Sequence, residues 1–148
     1  MQPNSADINR IGQIAAAVRQ AIENCSPTEL PWRAFPKGAC GDTCLVLGQF
    51  LHEAGYEGVE YICGNKYRED GRPYSHAWLR YEGLIVDITA DQFSEVTDKV
   101  IVVRSSNWHL GWHQDRPEPG ALQSYAFANV QPLWAFFSLL KPRMSYQT

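Results

Sequence analysis

The sequence predicts an α+β fold, with N-terminal helices packed on an antiparallel sheet and a closing helix. Two observations carry this reading. Apolar residues recur at helical spacing through the first third of the chain, and the middle third changes to short β-rich runs separated by turn signals. An apolar stretch near the C-terminus adds the last helix.

The first helix is expected to be capped by Ser5, with Ile8, Ile11, Ile14, Val18 and Ile22 as its buried stripe. Cys25 and Ser26-Pro27 end it, and residues 27–39 form a loop containing Pro31, Pro36 and Gly38. A second helix is expected from Cys40 to Ala54, with Cys44, Leu47, Leu51 and Ala54 facing inward and Gly55 stopping it. Val59–Cys63 reads as a short strand and 64–73 as a polar loop. Tyr74–Tyr81 and Leu84–Thr89 read as strands joined at Glu82-Gly83. The run Lys99–Arg104 suggests a central, buried strand, and 105–120 an irregular segment. Val130–Leu140 reads as a buried helix with Pro132 in its first turn.

The chain has 148 residues, a length that suits one domain with one core. A net charge of -3 argues against nucleic acid as the main partner. No apolar stretch reaches the roughly 18 residues of a membrane span, and Met1 to Arg10 carries no apolar signal core. A cytoplasmic location is therefore expected, in which Cys25, Cys40, Cys44 and Cys63 are reduced thiols.

The hairpin at Glu82-Gly83 makes a specific prediction. With a two-residue turn, Tyr81 pairs with Leu84, Leu79 with Val86 and Ala77 with Ile88, so these six side chains share an apolar face. His76, Trp78, Arg80, Ile85, Asp87 and Thr89 then share the other face, with His76 diagonal to Asp87. A slip of one residue would put His76 and Asp87 on opposite faces.

Cys40 begins a helix, where unpaired N–H groups favour a thiolate and can also stabilise an oxyanion beside it. His76 would take the thiol proton, and Asp87 would fix the tautomer of that ring. Asp42 opposes a low thiol pKa and reads as structural. Cys44 is the rival nucleophile, one turn further on and facing inward. Asp91 is the alternative acid, although its place in a turn suits capping. Cys25 and Cys63 read as packing thiols and His52 as solvated. A zinc site from Cys40, Cys44 and His76 lacks a second half-site, and His109 with His113 would serve a metal only on a helix, so no cofactor is expected. Trp108 and Trp112 suit a substrate groove or the core equally, and Arg33 and Lys37 suit an acidic substrate or a solvated loop.

The run FPKGACGDTCLVLGQFLHEAG, followed by SHAWLRYEGLIVDITADQF, resembles the papain-like and transglutaminase-like cysteine enzyme superfamily. It is most similar to small bacterial members such as lasso-peptide leader proteases and papain-fold deamidating toxins, and a toxin of that kind would act in another cell. The resemblance spans residues 35–93. It implies Cys40 as nucleophile, His76 as general base and Asp87 as the residue that orients it. No Gln precedes Cys40 at the family's oxyanion-hole spacing, so the second oxyanion donor is unassigned. The function expected is cysteine-dependent acyl transfer on a peptide or protein: amide hydrolysis, proteolysis or glutamine deamidation. The competing classes are a non-catalytic interaction module on the same scaffold and a metal-binding regulator.

Overall fold

The computed structural model of the chain describes residues 2–145. Helix α1 (Ser5–Glu23) and helix α2 (Cys40–Glu53) come first. Strands β1 (Glu60–Tyr67), β2 (Pro73–Tyr81), β3 (Leu84–Asp87) and β4 (Ile101–Val103) follow. A short helix α3 (Asn107–Leu110) and two two-residue strands, β5 (His113–Gln114) and β6 (Glu118–Pro119), lead to helix α4 (Phe127–Leu140). The strands run antiparallel in the order β4-β3-β2-β1-β5, and β6 also pairs with β1. The α+β class expected from the sequence is the one observed. No helix among the described residues is long and apolar enough to cross a membrane.

The stripe of α1 packs as its spacing requires: Ile11, Ile14, Val18 and Ile22 have no exposed surface. Leu47 and Leu51 of α2, Leu79 of β2, Val86 of β3 and Phe136, Phe137 and Leu140 of α4 complete the larger core. Burial of such side chains contributes about 1.5–3 kcal/mol each. Helix α2 tolerates no side chain at Gly48, because a Cβ there would overlap the Gly120 carbonyl oxygen. The backbone after β6 therefore passes directly over the helix.

Four expectations need correction. Asn4 caps α1, not Ser5: the Asp7 N–H donates to Asn4 Oδ1 (2.9 Å) and the Asn4 N–H donates to Asp7 Oδ2 (3.2 Å). Strand β1 runs on to Tyr67, through residues expected to form a loop, because β2 pairs with it along its whole length. The Lys99–Arg104 run supplies an edge strand, not a central one. Its apolar character reflects two half-covered faces, with Val100 and Val102 turned to the main core. The 105–120 segment, expected to be irregular, contains the short elements α3, β5 and β6. Helix α4 breaks at Val130 (φ -128°, ψ 17°), and Pro132, which has no N–H to return to Ala128, enters the first regular turn after the break.

Candidate active site

The hairpin register places the central pair. Tyr81 pairs with Leu84 and Leu79 with Val86 across a turn in which Glu82 (φ 45°) and Gly83 (φ 85°) are both left-handed. His76 and Asp87 consequently share a face, and His76 Nε2 lies 2.7 Å from Asp87 Oδ2. Neither has appreciable exposure, at 0% and 2%. A carboxylate accepts, so Nε2 carries the proton and Nδ1 is left as the basic nitrogen. The ring is walled by Trp78, Phe93, Trp108 and Trp112, at centroid separations of 5.2–5.9 Å. Gly64, opposite His76 on β1, makes room for this wall, because a Cβ there would meet Trp112 Cβ at 2.5 Å.

Cys40 is the first residue of α2 and is half-buried. Ala39 before it offers no side-chain cap, so the first-turn N–H groups stay available to an anion. The thiol and the His76 ring lie close enough to shift each other's proton affinity. Burial alone would raise the Cys40 pKa, but a hydrogen bond and charge from His76, the Ala77 N–H and the Gln92 amide together lower it. Burial likewise opposes the His76 imidazolium, but Asp87 and Cys40 outweigh it and raise the ring to about 9. Asp87 is held down at about 2: burial works against its charge, and donors from His109, His76 and Thr89 overcome it. Thr89 N–H reaches the other carboxylate oxygen, Oδ1, at 3.0 Å.

Two residues that sequence reasoning did not assign complete the cluster. Gln92 ends the 3-10 turn Ala90–Gln92 that follows β3, and its Nε2 lies 3.1 Å from His76 Nδ1. The turn is pinned from behind: Arg19 of α1 donates to Asp91 Oδ1 (2.7 Å), Asp91 Oδ2 (2.8 Å) and the Ile88 carbonyl (2.7 Å). Asp91 is therefore the partner of Arg19, neither a cap nor the acid that holds His76. His109, on α3, is 1% exposed and points Nε2 at the same Asp87 Oδ2, also at 2.7 Å. The signal for α3 was the Ser106 cap, whose Oγ accepts the His109 N–H at 3.2 Å. The spacing of Asp87 and His109 itself carries no signal.

The remaining candidates separate from this cluster. Cys44 is 6% exposed in the main core, where burial raises its pKa well above the ordinary value. Cys25 and Cys63 are half-buried and raised, each first by burial. Asp42 accepts the Trp32 indole N–H at 3.1 Å and so ties the 30–39 segment to α2. That segment walls a cavity of about 680 Å³ lined in part by Ile22, Trp32, Arg33 and Phe35. Arg33 and Lys37 are exposed, His113 is exposed on β5, and His52 is half-exposed. Trp112 is buried beside Trp78 and Ile62, and Trp108 sits at the edge of that group with its indole donating to Glu95.

His76, Asp87 and His109 place three possible ligand atoms within 4.8 Å of one another. Both nitrogen–oxygen separations are 2.7 Å, the length of a charge-assisted hydrogen bond. Ligands of a tetrahedral zinc, bound at about 2.0–2.1 Å, stand about 3.3 Å apart, so an ion would have to force the three side chains outward. The arrangement fits proton sharing better than ion binding. Comparisons of the chain with protein-family models, with curated proteins and with solved structures find nothing that matches.

Proposed function

We propose that the chain is a cysteine-dependent acyl-transfer enzyme of the papain-like and transglutaminase-like kind, acting on an amide carbonyl of a peptide or protein. The observation that carries the reading is the polarity of His76: Nε2 is committed to a buried carboxylate while Nδ1 faces Gln92, and the ring helps to lower the pKa of the thiol at the start of α2. A purely structural histidine has no need to lower the pKa of a half-exposed thiol.

In the proposed reaction His76 Nδ1 takes the Cys40 proton and the sulfur adds to the carbonyl carbon. Negative charge develops on the carbonyl oxygen beside the first-turn N–H groups of α2. Gln92 supplies the second donor. Once Nδ1 is protonated it no longer accepts from the Gln92 amide, and that N–H is released toward the oxyanion. The imidazolium then gives its proton to the departing nitrogen as the C–N bond breaks, leaving a thioester on Cys40. Water or an amine attacks the thioester, His76 takes the acceptor's proton, and the sulfur departs as thiolate.

The test is the pH dependence of Cys40 alkylation by iodoacetamide in the intact protein. An enzyme of this kind shows a depressed thiol midpoint that returns toward the ordinary value in His76→Ala. A wild-type thiol that reacts no differently from Cys25 and Cys63 sinks the reading in favour of a non-catalytic module. Mass spectrometry of a proteome exposed to wild type and to Cys40→Ala names the reaction through cleavage, a gain of about one dalton, or a cross-link.

A further inference from the structure

The carboxylate at the centre of the site is used twice. Oδ2 of Asp87 receives His76 Nε2 and His109 Nε2 at the same 2.7 Å, while Oδ1 receives the Thr89 N–H. The proposed chemistry needs only the first of these bonds. His109 comes from a different element, and that element is built to deliver it. Ser106 caps α3, accepts the His109 N–H and lies 2.7 Å from His109 Nδ1, so its hydroxyl donates there and leaves the proton on Nε2. The next residues pair with β1 through His113 and Gln114, and Trp108 is tied to Glu95. The ring is closed in by Trp78 and Trp108, both at 4.8 Å between centroids.

We propose that His109 is a positioning residue for the Cys40 centre: it locks Asp87 against His76 and divides the charge on Oδ2 between two donors, so that the His76 imidazolium remains acidic enough to protonate a departing amine. The inference rests on the acyl-transfer reading above. Its chemical content is a balance. An acid orienting a catalytic imidazole has to stay ionised and must not bind the imidazolium proton so tightly that the leaving group never receives it. A second N–H donor on the same oxygen serves both needs, because it stabilises the anion while making that oxygen less basic.

The groups that set the His76 proton are Cys40 from α2, Asp87 from β3 and His109 from α3, with the Gln92 dipole at Nδ1. Lys66 of β1 lies beyond the tryptophan wall, over Trp112 at 4.4 Å. Removing the His109 donor leaves more of the Asp87 charge on His76. The imidazolium then holds its proton to higher pH, while the thiol midpoint, set with the ring already protonated, stays in place. A residue that only packs would move neither.

The experiment is a ¹⁵N-histidine NMR titration of His76 in the full chain, alongside the pH profile of Cys40 alkylation. It compares wild type, His109→Phe, which keeps volume without a donor, and His109→Gln, which keeps an N–H. The expected result is a His76 midpoint at least half a pH unit higher in His109→Phe and within a few tenths of wild type in His109→Gln. The acidic limb of the alkylation profile should be common to all three. A His76 midpoint that is unmoved or lowered in a folded His109→Phe protein overturns the proposal, as does a Gln variant that behaves like the Phe variant. If His109→Phe does not fold, Ser106→Ala weakens the same donor from behind; a smaller upward shift supports the proposal, and none overturns it. A wild-type Cys40 with ordinary reactivity would instead remove the acyl-transfer reading, while the His76 midpoints would still report on the shared carboxylate.

Discussion

The two faces of the sheet are built by different rules. The face under α1, α2 and α4 is filled by aliphatic and phenylalanine side chains that repeat at the period of their own elements. The opposite face gathers His76, Asp87 and His109 inside a group of aromatic rings from Tyr74, Trp78, Phe93, Trp108 and Trp112. The first face tolerates a swap of similar volume at about 1.5 kcal/mol or less. The second holds a buried charge, and each donor it loses leaves that charge under-satisfied. Generic packing fills one side and a buried charge with its donors marks the other, and Cys40 comes to His76 from the start of α2, on the helical side.

The widest separation is expected between the two cysteines of α2. Cys40→Ala should reduce acyl transfer by about 10⁴-fold or more and leave the melting temperature nearly unchanged, because the thiol is half-buried at a helix start. Cys44→Ala should do the reverse, costing about 1 kcal/mol from the core while turnover by the folded protein stays at wild-type level. Paired thermal melts and turnover measurements decide it. Equal losses of activity in both variants would erase the distinction between the two thiols.

On the core face the most damaging small change is Gly48→Ala. The new methyl meets a backbone oxygen that cannot swing aside, so the expected cost is about 3 kcal/mol or more, read as a lowered denaturation midpoint. An unchanged midpoint would mean that the segment after β6 does not lie over α2 as described.

How much of each face was legible follows from the same physics. Helical spacing located Ile11, Ile14, Val18, Ile22, Leu47 and Leu51 in the core, because periodicity records burial directly. The Glu82-Gly83 turn fixed the register of β2 and β3, and with it the approach of His76 to Asp87. Cys40 was legible as the start of α2, since it directly follows the loop run Pro36-Lys37-Gly38-Ala39 and precedes an inward stripe at helical spacing. Gln92 and His109 were not, because what brings them in is long-range. An ion pair from Arg19 anchors one of them, and strand pairing of 113–114 onto β1 brings in the other. The edge position of β4 escaped for a related reason: an apolar run reports coverage by neighbours and is silent about strand order.

The charged pair also sets how stability should respond to pH. Asp87 has a folded value of about 2, below the 3.8 of an ordinary aspartate, so it contributes stability above that value and loses it as pH falls toward 2. The loss should amount to about 2 kcal/mol between pH 4 and 2. His76 is shifted the other way. Raised to about 9 from 6.5, it contributes fully below pH 6.5 and loses that contribution as pH rises through 9. Cys40, with its lowered value, opposes that alkaline loss because its thiolate is favoured in the folded chain. Denaturant titrations should therefore show a steep acid side below pH 4, and an alkaline loss to which the raised Cys44, Cys25 and Cys63 thiols add. Asp87→Asn should flatten the acid side; an acid limb as steep in that variant as in wild type would place the responsible carboxylate elsewhere.

Gly64→Ala is the perturbation most informative about the aromatic wall. The atom that a Cβ would strike first is Trp112 Cβ, which moves only with its backbone, and Trp78 at its ring edge is next, so the expected cost is about 2–3 kcal/mol. What moves is the indole of Trp112, one of the rings closed around His76. Tryptophan fluorescence should change before any unfolding, and Cys40 alkylation should slow by a fewfold as water reaches the ring and the His76 imidazolium is less well shielded. Gly48→Ala, by contrast, should lower stability with the emission spectrum of the folded protein unaltered. If Gly64→Ala leaves both fluorescence and thiol reactivity at wild-type values, the aromatic group serves only as a second core, and the contrast between the two faces reduces to composition.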